Sequence, residues 1–246
     1  MSQGPSIKVA SVQVSVEDNA FDANMSNARA MALRVAENEK GVDLMLSDST
    51  NANNPNFTRS EREVGEALRQ IMMQAKRKVV VASFSSHIHR IQQVCDAAVE
   101  AKRQVAVTGR SMLTNTRIAQ ELGYLNVPEG LIVDAFEIND IPPHKLVILC
   151  TGSQGEPLSA LARMSVGEHR TVSIERGDTV IISATPVPGN EKSVTRVINQ
   201  LSKIGADVYD KSRGLVHVSG HAGAEELKLV LRMVAPKHFM PVHGEQ

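Results

Sequence analysis

Short, β-branched apolar runs alternate along this chain with segments whose apolar residues recur at helical spacing, and that alternation constrains its fold most. KVVVAS (Lys78 to Ser83) and LVILC (Leu146 to Cys150) are continuous apolar runs of strand length, the pattern of strands buried on both faces. Further strands are expected at Ile7 to Val14, Asp43 to Leu46, Gln104 to Val107, Thr179 to Ser183, Asp207 to Tyr209 and Val216 to Val218. Between them lie helical patterns over about 20–37, over 88–101 and over 111–122. Thr58 and Glu61 have capping-box spacing and predict a helix running to about Lys76. Val194, Val197, Ile198, Leu201 and Ile204 share a face, with Gly205 as a stop; Leu227, Val230, Leu231 and Val234 repeat the pattern. The fold class expected is α/β, a mostly parallel, Rossmann-like sheet with helices on both faces.

A chain of 246 residues can bury a substantial core, here without Trp and with only 3% aromatic residues. Stacking platforms for nucleic-acid bases are therefore scarce. Twenty-seven basic residues balance twenty-seven acidic ones, so no global field draws the protein to a polyanion, and any phosphate must be held locally. Cys95 and Cys150 lie in apolar runs and form no disulfide framework, which points to a reducing cytoplasm. The start MSQGPSIKVASVQV lacks the layout of a signal peptide, and no apolar stretch approaches membrane-span length, so a soluble protein without membrane partners is expected.

Open parallel sheets bind ligands outside the carboxyl ends of their strands. Four strand-to-helix junctions carry glycine, hydroxyl or basic residues: FSSHIHR (Phe84 to Arg90), TGRS (Thr108 to Ser111), TGSQGEP (Thr151 to Pro157) and HVSGHAG (His217 to Gly223). Pro157 stands where a first helical residue belongs. Glycines permit close backbone approach, hydroxyls donate, and amides at helix starts favour anions, so the four read together as a phosphate-binding crevice. The same residues are what caps and tight turns require, and the sequence leaves both readings open. Neither a Walker nor a dinucleotide fingerprint occurs. Of the eight histidines, His87 and His89 form an HxH pair followed by Arg90, and this reads as a helix start or polar contact. His217 and His221 straddle a Ser-Gly turn, and His243 lies in PVHGE at a strand end. Three ligands for a catalytic zinc cannot be assembled from spacing alone.

Several runs carry a family resemblance: SDSTNA (Ser47 to Ala52), FSSHIHRIQQV, GRSM, ELGYL, CTGSQGEP, PGNE, VHVSGHA and MPVHGE. From about Gly41 to Gln246 the chain resembles ribonuclease J, of the β-CASP branch of the metallo-β-lactamase superfamily. The resemblance implies a zinc-dependent endo- and 5′-exoribonuclease acting on single-stranded, 5′-monophosphorylated RNA. Carried onto this sequence, His221 and Glu156 correspond to catalytic positions and His243 to a zinc ligand. Ser85, Ser86, His89, Arg90, Arg110, Ser153, Ser219 and Gly220 fall where the family holds RNA phosphates. The family's HxHxDH run and GDFKFD-like segment have no counterpart upstream of SDSTNA, so most zinc ligands are missing. Residues 6–45 instead resemble the opening strand and helix of a nitrilase, without its later glutamate, lysine and cysteine motifs.

The organisation expected is a nitrilase-like strand-helix-strand unit over 1–45 joined to a ribonuclease J-like region over 46–246, with a β-CASP core at about 60–228. This reads as a chimera or trimmed chain that binds RNA, holds no zinc and does not hydrolyse. The alternative is an engineered or recombined α/β protein with no retained activity. An open sheet edge would be the surface for a homodimer.

Overall fold

The computed structural model describes residues 9–11, 42–134 and 136–243. In chain order the elements are β1 (Val9–Ser11), β2 (Leu44–Asp48), α1 (Glu61–Gln74), β3 (Val79–Ala82), α2 (Ile88–Glu100), β4 (Gln104–Thr108), α3 (Arg110–Glu121) and β5 (Ile132–Val133). They continue with β6 (Leu146–Cys150), α4 (Ala160–Ser165), β7 (Thr179–Ile182), α5 (Glu191–Ile204), β8 (Asp207–Tyr209), α6 (Ala224–Val234) and β9 (His238–Val242). The expected helix over 20–37 and most of the first expected strand lie outside the described residues. The chain forms two compact units, one of Met1–Arg62 with Val218–Gln246 and one of Glu63–His217.

The second unit is built on a six-stranded sheet of order β5-β4-β6-β3-β7-β8, and every pairing in it is parallel. The continuous apolar runs predict central strands, and β3, β6 and β7 are buried along their whole length, with both faces covered. Val64, Leu68 and Met72 supply the buried stripe of α1, and Val194, Val197 and Leu201 that of α5. Gly205 ends α5 in the left-handed region at φ 91°, as its position in the sequence predicts. The core joins Val80, Ile148, Leu161, Ile182 and Leu201 in one cluster. At the amino ends of β3 and β7, the fully buried Asp178 carboxylate accepts from Lys78 Nζ at 2.8 Å and Arg77 Nε at 3.1 Å. This pairing compensates a charge that could not otherwise be buried.

The first unit holds a three-stranded parallel sheet of order β1-β2-β9, in which Leu44 faces Val9 on one side and His238 on the other. Val42, Met45 and Val234 form its small core.

Three local expectations are corrected. The segment at Val216 to Val218 is not a strand: the Val216 carbonyl accepts from Arg90 Nη1 and Ser183 Oγ, each at 2.7 Å, so side chains take the place of a ladder partner. Pro157 does not open a helix. Ser159 caps α4, its Oγ accepting from the Ala162 amide, and two residues separate the proline from Ala160. Thr58 does not cap α1, which starts at Glu61; Ser60 Oγ accepts from the Arg62 amide instead.

Candidate nucleic-acid interface

The register of the second unit puts Thr108, Cys150, Ala82 and Ile182 in line across β4, β6, β3 and β7. The loops that leave those four strands therefore emerge side by side at one edge. Three are the FSSHIHR, TGRS and TGSQGEP junctions. The fourth is SATPVPGN, Ser183 to Asn190, a junction not predicted from the sequence; HVSGHAG follows β8 only after the intervening stretch Asp210 to Val216.

These loops are knitted together by close approach and hydrogen bonds. Gly109, at φ 101°, lies so near the third loop that a Cβ there would sit 2.8 Å from Thr151 Oγ1. Asn115 Nδ2 donates to the Ser85 carbonyl at 2.9 Å, which ties α3 to the first loop. Gln154, nearly buried, donates through Nε2 to the Thr185 carbonyl at 2.9 Å and accepts from the Val187 amide at 2.7 Å. At Gly155, φ 69°, a Cβ would stand 2.6 Å from the Ser193 carbonyl carbon in the first turn of α5. Thr108 is held from the side by His169. The His169 Nδ1 accepts from the Thr171 and Val172 amides, so its proton sits on Nε2, 3.3 Å from Thr108 Oγ1. Burial, and then the nearby Arg163 charge, push this imidazole below its ordinary pKa, which favours the neutral form.

Of the residues expected at this edge, Ser86, His89, Arg110 and Glu156 are exposed and Ser85 is half-buried. Two expectations are corrected here. Arg90 is fully buried, with Nε on Gln93 Oε1 at 2.9 Å and Nη1 on Ser183 Oγ and the Val216 carbonyl, so it braces the core rather than meeting solvent. Ser153 is 2% exposed and packs beneath its loop, because the tight turns at Gly152 and Gly155 fold the backbone over it.

His221, Ser219, Gly220 and His243 belong to the first unit. Asp48, at the end of β2, brings the two histidines together: His221 Nδ1 lies 2.7 Å from Oδ2 and His243 Nδ1 3.9 Å from Oδ1. Burial opposes ionisation of Asp48, but hydrogen bonds from Thr50 Oγ1 and His221 outweigh it and hold the carboxyl below its ordinary range. The His221 loop is fastened from its backbone: its carbonyl accepts from Thr58 Oγ1 at 2.9 Å and Asn51 Nδ2 at 3.1 Å. Glu226 takes the Thr58 and Gly223 amides at 2.9 and 2.7 Å. A Cβ at Gly223 would stand 2.0 Å from the Asn56 carbonyl oxygen, so only glycine fits. Asp48 was missed as a site residue, although its place in SDSTNA at a strand end was the signal.

Residues 76–201, a little over half of the chain, match the domain profile described as ribonuclease J, beta-CASP domain. The chain belongs to the ribonuclease J β-CASP family. Residues 207–246 match a second profile, the Zn-dependent metallo-hydrolase RNA specificity domain. The chain is 48% identical over 206 residues to a ribonuclease J of Mycolicibacterium smegmatis, covering 84% of this chain and 37% of that protein. Ribonuclease J 1 of Streptococcus pyogenes is 46% identical over 207 residues, with the same two shares of 84% and 37%. Ribonuclease J of Thermus thermophilus is 47% identical over 225 residues, 92% of this chain and 39% of the relative. The chain thus spans less than two fifths of the length of these ribonuclease J relatives. The four-loop edge lies in and around the β-CASP match, and His221 and His243 lie in the RNA specificity match.

The second profile's description names zinc. Asp48, His221 and His243 converge, but His221 Nδ1 is taken by Asp48 and the His243 ring is 81% exposed. No group of three or more His, Cys, Asp or Glu side chains among the described residues is placed to hold a metal ion. The donors among the described residues do not fit a two-zinc centre, which needs about three protein ligands for each catalytic ion.

Proposed function

We propose that this chain is an RNA-binding β-CASP module that grips the phosphates of a single strand and does not hydrolyse RNA by itself. The observation that carries the reading is the alignment of four strand ends, which sets Ser85, Ser86, His89 and Arg110 along one edge of a parallel sheet. Hydroxyls and the amides at the start of α3 donate to phosphate oxygens, and Arg110 adds a fixed positive charge. The relatives, all named ribonuclease J, make RNA the polyanion of choice.

In the first unit, Asp48 accepts the His221 Nδ1 proton and leaves Nε2 of a half-exposed ring as the outward nitrogen. Ser219 and Gly220 stand beside it and complete this second set of candidate phosphate contacts. The described donors do not assemble a metal centre for a hydrolytic step. Residues 1–45 are read as a nitrilase-like unit joined to the β-CASP region, and within the first unit β1 and β2 pair in parallel. No helix among the described residues is long and apolar enough to cross a membrane.

Titration of 5′-phosphorylated single-stranded RNA at several salt concentrations tests the proposal. Affinity is expected to fall as salt rises, each phosphate contact adding about −0.7 to the log–log slope for a single strand. Absence of binding at low salt would leave only an idle structural fold. Zinc analysis and a cleavage assay run on the same preparation; close to two zinc ions per chain with robust cleavage would overturn the non-hydrolytic reading.

A further inference from the structure

The helix that follows the fourth loop carries a feature that the phosphate-binding edge does not use. Lys192, Arg196, Asn199 and Lys203 recur at spacings of four, three and four along α5, and so form one stripe on the side opposite its buried Val194, Val197 and Leu201. All four are exposed, and with Thr195 and Gln200 they line a shallow groove of about 480 Å³. Among the described residues none of the three cations has a carboxylate partner, although each stands beside the others on one exposed face. The one acid in the groove, Glu191, already accepts from the Gly189 amide. In a chain of zero net charge, an unpaired basic stripe is a local field for a polyanion.

The stripe is continuous with the phosphate-binding edge. Gly155 of the third loop packs on the Ser193–Val194 backbone in the first turn of α5, and Gln154 clamps the loop that leads into it. From Lys192 to Lys203 the helix rises about 16 Å, enough for several phosphates of an extended strand.

We propose that this face of α5 is a track for the sugar-phosphate backbone of a single RNA strand whose other end is held at the four-loop edge. The inference rests on the RNA-binding reading above and extends it from an anchoring edge to a length-dependent surface.

The test compares the intact chain with a Lys192→Gln/Arg196→Gln/Lys203→Gln variant, whose melting temperature should match because all three side chains are exposed. Each is titrated with 5′-phosphorylated oligouridylates of about 4 and about 16 nucleotides across a salt series. The expected result is that the variant binds the short oligomer unchanged. It should bind the long one roughly tenfold more weakly at low salt, with a log–log salt slope shallower by about 2 for three lost phosphate contacts. Unchanged long-oligomer affinity and slope, or an equal loss for both lengths, would overturn the track and leave the edge reading standing. If the unaltered chain binds neither oligomer at low salt, both readings fall.

Discussion

Arg90 sits where the resemblance places a phosphate ligand, yet its guanidinium is fully buried and bonded to Gln93, Ser183 and the Val216 carbonyl. Its expected effect is on stability. Arg90→Ala should cost roughly 3 kcal/mol in urea unfolding, since it opens a cavity and strips buried acceptors of their donor. Arg90→Lys should recover only part, because an ammonium cannot reproduce the planar fork. A loss below about 1 kcal/mol for the alanine variant would show that the guanidinium is dispensable to the fold. His217, in the same unit, has a buried Nδ1 without a hydrogen-bond partner. Burial first, and then the charges of Arg90, His87 and Lys211, push its imidazole down to about 4 from an ordinary 6.5. The sign follows from proton uptake. Between those values the unfolded chain binds the proton and the native one does not, so the stability is present above about 6.5 and is lost as pH falls towards about 4. The urea midpoint should decline over that window, and His217→Gln should flatten the decline; an unchanged profile would assign the acid sensitivity to other groups. The residue types at both positions were plain in the sequence. Their burial was not, because Val216 and Ser183 approach Arg90 across a separation of about ninety residues or more.

At the scale of elements, the central strands and the α2, α3, α5 and α6 helices are legible in the sequence because their signals are local. Four consecutive β-branched or small apolar residues need two covered faces, and a stripe at helical spacing needs one. Helix starts are less legible. Thr58 has capping-box spacing but spends its amide on Glu226 and its hydroxyl on the His221 carbonyl, so tertiary partners outcompete the local cap. The TGSQGEP loop shows how glycine positions encode packing. Gly155→Ala should cost well over 1 kcal/mol, since its φ of 69° disfavours a side chain and its Cβ would stand 2.6 Å from the Ser193 carbonyl carbon. Gly130→Ala, at φ 77° with nothing within 4 Å, carries only the conformational cost. Thermal melts of the two variants isolate the close approach: equal losses would mean that the third loop does not rest on α5.

At the scale of the whole molecule, the compact units do not follow the order of the chain. Residues Met1–Arg62 join Val218–Gln246 in one unit, with Glu63–His217 inserted as the other. The pairing of Leu44 with His238 joins segments nearly two hundred residues apart, and no local pattern announces such a pairing. By itself the sequence determined the α/β class, the strands and their helices, and the glycine, serine and arginine loops at the strand ends, because apolar periodicity and turn chemistry act over a few residues. Only the tertiary structure decided which loops stand together, that SATPVPGN is one of them, that Asp48 gathers His221 and His243, and that Arg90 is a brace. Those outcomes depend on the order and register of parallel strands, which are set by packing between distant segments.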